Sequence, residues 1–323
     1  MITRRTALTA AAAASAAPLL GSVSAHAAPP PKAGSQAPSF FRYKLGDLEI
    51  TAVGDGFLQR PLDGFVRNVD VADVKKTLTA QGLPDTHIRV PYTTLVVNTG
   101  SKLIVFDTGN GEFAPAATTG HWMKNFRAAG FAPEMVDTVV LSHFHGDHIN
   151  GLRKKDGTAT FPNAEVMVPE AEYAFWMDEA RMNNAPEAMK GAFRGVHFAL
   201  DPIAKDVKRF AWDKEILPGI TTVRAEGHTP GHTAFVLASG KETMMFVADI
   251  TNTPLLFARH PEWQVMFDMD PAQAITTRKR ILDMASADRI RCAFYHGPFP
   301  SAGQISKDGA GYRLDLIPLQ DAI

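Results

Sequence analysis

Short apolar runs punctuated by glycine and proline recur along most of the chain. Residues 48–53 alternate apolar and polar side chains, a spacing that predicts a half-buried strand ending at a Gly54-Asp55-Gly56 turn. Residues 92–98 and 102–106 predict two strands joined at Gly100. Thr138-Val139-Val140-Leu141 is short, apolar and β-branched, as expected of a buried strand. Further strands are expected at 164–168, 207–212, 221–225 and 291–295, with a C-terminal one at 311–317 and a hairpin of 234–237 with 243–247 around Gly240. Helical spacing marks 71–81, then 122–130 with a glycine stop, and a helix opening at Pro169-Glu170. It returns at 181–199, interrupted at Pro186, and at 271–285, where Arg278-Lys279-Arg280 reads as a solvated face. The rest of 57–90 is irregular, a binding loop or packed coil. Structure should begin near Tyr43. Strand-strand-helix units in both halves point to the α/β class.

A chain of 323 residues with 45% hydrophobic composition can bury a large core. The N-terminus stands apart. Arg4-Arg5, an Ala/Leu-rich stretch and Ala25-His26-Ala27 form a charged start, an apolar middle and a small-x-small cleavage site. Residues 1–27 therefore read as an export signal, resembling the twin-arginine type, with an ordinary Sec signal as the alternative. That places the protein in the bacterial periplasm or outside the cell. Residues 28–42, rich in Pro, Ala and Ser, read as a linker, and 43–323 as one domain. Without the signal the charge is near −3, so no basic surface suggests a nucleic-acid partner. Cys292 is the single cysteine and reads as an inert buried thiol; no internal disulfide is possible. No other segment could span a membrane.

The chemistry concentrates in Ser142-His143-Phe144-His145-Gly146-Asp147-His148. A His-rich surface loop is the plainer reading, but four ligand-type residues at the end of an apolar strand point to metal. If the strand continues, alternation places His143 and His145 on one side, and the turn at Gly146 frees Asp147 and His148 to face another point. That spacing suits two adjacent metal ions. Imidazole and carboxylate donors favour zinc, with manganese, cobalt or iron possible.

His-x-His-x-Asp-His resembles the signature of the metallo-β-lactamase superfamily. Leu45-Gly46-Asp47-Leu48-Glu49-Ile50-Thr51-Ala52, Val97 to Leu103, Phe161-Pro162-Asn163-Ala164, Gly227 to Thr233, Pro298-Phe299-Pro300 and Gly309-Ala310-Gly311-Tyr312-Arg313 are similar to its methyl parathion hydrolase and related lactonase branch. The resemblance implies a four-layer αββα sandwich, two mixed sheets flanked by helices. It implies one metal at His143, His145 and His228, a second at Asp147, His148 and His296, and Asp249 and a hydroxide bridging them. Asp107 would support the site from behind, and His232 would be supporting or structural. Two such ions acidify bridging water and clamp attacking and leaving oxygens, and Asp147 could orient that hydroxide or shuttle its proton. The implied activity is a dinuclear hydrolase of lactones, aryl esters or phosphotriesters, commonly dimeric.

Phe144, Asn252, Leu256, Phe257 and Phe299 are the expected pocket residues. Asn252 stands where acyl-homoserine-lactone lactonases have tyrosine, so the pocket should differ from theirs. A mononuclear iron persulfide dioxygenase on the same fold is the alternative. Flavodiiron proteins are disfavoured by His145, where they carry a carboxylate, and an RNA-processing nuclease by the acidic charge. A non-catalytic metal protein is disfavoured by the intact ligands.

Overall fold

The computed structural model describes residues 32–318, so the expected export signal lies outside the described residues. Fourteen strands form two seven-stranded mixed sheets. The first contains, side by side in chain order, β1 (Phe40–Leu45), β2 (Leu48–Pro61), β3 (His87–Asn98), β4 (Leu103–Phe106), β5 (Thr138–Val140), β6 (Glu165–Pro169) and β7 (Lys208–Phe210). β1 to β4 pair antiparallel, and β4 to β7 pair parallel. The second holds β8 (Glu215–Leu217), β9 (Ile220–Arg224), β10 (Thr233–Ser239), β11 (Glu242–Ala248), β12 (Arg291–Phe294), β13 (Ala302–Asp308) and β14 (Gly311–Leu316), with β11 and β12 as its parallel pair.

The helices are α1 (Val71–Thr79), α2 (Trp122–Ala128), α3 (Gly146–Ile149), α4 (Glu170–Trp176), α5 (Glu179–Asn184), α6 (Glu187–Leu200), α7 (Pro254–Phe257) and α8 (Pro271–Ala287). None of the described helices is long and apolar enough to cross a membrane. The two sheets face each other through Tyr43, Ile50, Leu95 and Phe106 on one side and Phe235, Phe246 and Ala293 on the other. Phe106 meets Phe235 edge-on at 5.1 Å, a favoured aromatic geometry. The outer face of the first sheet is covered by Trp122 and Phe126 of α2 and Phe193 and Val196 of α6. That of the second is covered by Ile281, Leu282 and Ala285 of α8. Burial on both faces explains why β4 is apolar throughout and β5 is buried at every position, without alternation.

Several expectations change. β1 begins at Phe40, inside the expected linker. Gly54-Asp55-Gly56 is no turn: β2 runs through it to Pro61, absorbing the glycines as a bulge. The expected irregular stretch 57–90 thus begins and ends in a paired β2–β3 arm and holds α1 between two irregular segments. Arg278 is not on a solvated face; its side chain is fully buried. α8 packs that position inward against Phe257, whose ring lies 5.3 Å from the guanidinium carbon.

Candidate metal centre

The sandwich brings strand ends from both sheets to one edge. Asp107 follows β4, the His143–His148 motif follows β5, Asp249 follows β11 and His296 follows β12, while His228 lies just before β10. Loops at the ends of rigid strands are where functional side chains are held precisely. Thr233 N–H donates to the Ser142 carbonyl at 3.0 Å and joins the two sides of the seam.

All seven expected ligands come together there. Three interlocking groups, His143 with His145 and His228, His143 with His148 and Asp249, and Asp147 with His148 and His296, each place donor atoms within 4.8 Å of one another. The motif itself lies beyond the strand, since β5 ends at Val140. His143 Nε2 and His145 Nδ1 nevertheless meet at 3.2 Å.

Outer partners fix the rings. His148 Nδ1 is 2.8 Å from Asp107 Oδ2, and His228 Nδ1 is 2.9 Å from Asp268 Oδ1. His296 Nδ1–H donates to the Pro91 carbonyl at 2.7 Å. In each ring Nε2 is left to face the cluster, the arrangement that orients metal-binding histidines. Asp107 is locked in turn by the Ser142 N–H and Oγ–H, each at 2.7 Å. It sits at φ 59°, as Ala248 and Asn252 sit at 44° and 46° around Asp249. Such left-handed non-glycine residues cost energy and cluster at functional sites.

His232 is differently used. Its Nδ1–H donates to the Ala225 carbonyl at 2.9 Å, and its Nε2 accepts from Asp249 N–H at 3.1 Å. Both ring nitrogens are occupied, so His232 holds the backbone of Asp249.

His148 Nε2, His228 Nε2 and Asp249 Oδ1 are buried with no hydrogen-bond partner. His148 Nε2 lies 3.4 Å from Asp249 Oδ1, and His228 Nε2 lies 3.3 Å from Asp249 Oδ2, neither with hydrogen-bond geometry. Orphaned buried polar atoms are costly, and here they fall in both halves of the cluster, His228 in the three-histidine group and His148 with Asp249 in the other. Two histidines and a carboxylate with bare donor atoms are what a divalent cation requires. The charge pattern agrees. Burial holds His143 and His145 well below the usual imidazole value, reinforced by neighbouring rings, His148 for the first and His228 for the second. For His148 burial lowers the value, but Asp147, Asp249 and Asp107 more than reverse it. For His228 burial is likewise overcome, by Asp249 and Asp268, to about 9. Burial would raise Asp249, but His296 and His148 hold it well below the carboxylate range.

A profile of the family described as the Metallo-beta-lactamase superfamily matches residues 88–296. The chain belongs to that superfamily. An N-acyl homoserine lactonase of Bacillus sp is 24% identical over 248 residues, 71% of this chain and 88% of the relative. The solved structure of AidC, a dizinc quorum-quenching lactonase with bound product, is 30% identical with a TM-score of 0.82, covering 88% of this chain and 99% of AidC. The hydrolase AbOPH is 27% identical with a TM-score of 0.83, covering 89% and 100%.

In this member of the metallo-β-lactamase superfamily the cluster floors a cavity of about 310 Å³ walled by Leu58, Val90, Tyr92 and Phe267, with Arg60 and Asn252 as polar features. Of the five expected pocket residues, Asn252 lines it. Phe144 is packed into the core beneath α2 and α6, and Leu256 and Phe257 into the cluster under α1. Phe299 is 39% exposed and lines none of this cavity. Sequence reasoning missed Asp268, Tyr295, Ser142 and the cavity wall on the β2–β3 arm. Tyr295 donates its hydroxyl to the Asp147 carbonyl and packs its ring, tilted, against His148 with centroids 3.8 Å apart.

Proposed function

We propose that the protein is an exported dinuclear metal-dependent hydrolase that opens lactones, with aryl esters and phosphotriesters as further substrates. The observation that carries this is the seam of seven ligands with orphaned Nε2 and carboxylate atoms beneath a small, mostly apolar cavity. A cavity of this size suits a small-molecule substrate. The lactonases among the relatives support the choice of lactones, and the relatives found do not favour the iron dioxygenase alternative. His143, His145 and His228 would hold one ion, Asp147, His148 and His296 the other, with Asp249 between them. Bound there, two divalent ions, zinc foremost, supply acidified water and Lewis-acid polarisation of the ester carbonyl. Asp147 and Asp249 both line the cavity, and Asp147 is the more exposed, its side chain 24% exposed against 3% for Asp249. It is the group placed to take up a proton and return it to the leaving oxygen. Tyr92, driven up from the usual phenol range by burial, stays protonated in the wall and can donate to a substrate oxygen.

The test is metal content of the purified protein, paired with turnover of an N-acyl homoserine lactone, an aryl ester and a phosphotriester. Two zinc-like ions per chain and lactone opening are expected. One iron and no hydrolysis would sink the reading. Chelation should abolish turnover and remove about 4 kcal/mol of stability for a site held at a thousand times its Kd, read as a lower melting temperature.

Metal uptake should also release protons. His148 and His228 are held above the ordinary imidazole value, and ligation needs neutral imidazole, so binding metal must displace protons from them. Calorimetric zinc titrations in two buffers of different ionisation enthalpy should give different apparent enthalpies. Equal enthalpies would show that no proton leaves.

A further inference from the structure

Glu172 lies outside every motif noted above, and its side chain is completely buried on α4. Four donors converge on it. Oε1 accepts from Phe144 N–H at 3.0 Å and from Trp176 Nε1–H at 2.7 Å. Oε2 accepts from Thr229 Oγ–H at 2.9 Å and Gly231 N–H at 2.6 Å. Phe144 separates His143 from His145, and Thr229 follows His228. One carboxylate therefore holds both loops that supply the three-histidine group, one from each side of the seam. The second loop presses directly onto α4. A Cβ on Gly231 would lie 2.0 Å from Glu172 N, so only glycine fits.

The chemistry of the donors selects a carboxylate. It accepts at about four lone-pair sites and donates nothing when ionised. Glutamine at the same place would turn an amide N–H toward two of the donors. Burial raises the Glu172 carboxyl above its ordinary range, and its four hydrogen bonds oppose that rise. Such a group is retained only where its bonds matter.

We propose that Glu172 is a positioning residue that sets the separation of His143 and His145 from His228, and so the affinity of the first metal position. The proposal rests on the dinuclear reading only for the existence of that position. A core staple would hold α4 in place and leave metal affinity unchanged.

The experiment is a zinc titration of metal-free protein in two backgrounds. His296→Ala leaves the three-histidine position to be read, and His145→Ala leaves the other. Glu172→Gln should weaken zinc about 10- to 100-fold in the first background and leave the second unchanged. Trp176→Phe removes the helix's own bond to Oε1 and leaves the bonds from Phe144, Thr229 and Gly231 in place. It should lower the melting temperature and keep zinc affinity. Unchanged affinity for Glu172→Gln, an equal loss in both backgrounds, or an equal loss with Trp176→Phe would each overturn the proposal. If Glu172→Gln does not fold, Thr229→Val cuts one bond to the His228 loop and should weaken the first position; no effect overturns it. Failure to open lactones would count against the proposed function and leave this comparison intact.

Discussion

Asp249→Ala should lose both metals and lower lactone turnover on the order of 10³-fold. Asp249 faces the two halves of the cluster at once: Oδ1 lies 3.4 Å from His148 Nε2, and Oδ2 lies 3.3 Å from His228 Nε2 and 3.0 Å from His296 Nε2. No other described carboxylate touches histidines of both positions at such distances. Without it, five imidazoles and Asp147 remain, a set with too little negative charge to hold two divalent cations close together. Loss of metal-derived charge stabilisation amounts to several kcal/mol, and roughly 4 kcal/mol corresponds to about 10³-fold. His228→Ala should act in the same direction by opening the three-histidine group. Metal content and kcat/KM measured on the same preparation decide the matter. Two bound ions with full activity in either variant would make the ligand assignment wrong.

Arg278→Met should cost about 3–5 kcal/mol of folding stability, the usual penalty for stripping one partner from a buried ion pair. The guanidinium donates to the carbonyls of Ile250, Pro261 and Trp263 at 2.7 to 3.0 Å and to Asp268 Oδ2 at 3.1 Å. Arginine and aspartate are both fully buried, so methionine would leave three carbonyls and a carboxylate without their donor. Asp268 also orients His228, and Ile250 follows Asp249, so the damage should reach the metals. Denaturant unfolding of metal-free protein isolates the first effect. A loss below about 1 kcal/mol would place Arg278 among ordinary surface arginines. Asp268→Asn should recover part of the Arg278→Met loss, because the uncompensated buried charge is gone.

What could be read beforehand was whatever is local. His143, His145, Asp147 and His148 fall within six consecutive residues, so their spacing alone signals metal, and strands such as β4 and β11 announce themselves by apolar runs. Partners remote in the chain left no such trace. Asp268 reaches His228 across forty residues, in a Met-Phe-Asp-Met-Asp stretch that no periodicity distinguishes. Arg278 misled because it heads an Arg-Lys-Arg run, whose charge suggests water while its helical position turns it inward. The pocket failed for a related reason. Phe144 sits between two ligands in the chain and Leu256 and Phe257 follow Asp249 on the short helix α7, but the side chains that wall the cavity come from the β2–β3 arm and the loop before α8. Gly54 and Gly56 misled by looking like a turn when the sheet uses them to bend a continuous strand.

The floor and the walls of the cavity come from different stretches of chain. The ligands sit on strand ends fixed by two covered sheets, whereas Leu58, Val90 and Phe267 lie on an arm and a loop that contribute none of them. Side-chain substitutions at Leu58, Val90 and Phe267 therefore change the cavity without removing a ligand. Such a division lets the shape of the cavity change while the ligand set stays constant. Directed evolution of new specificity should begin on the β2–β3 arm.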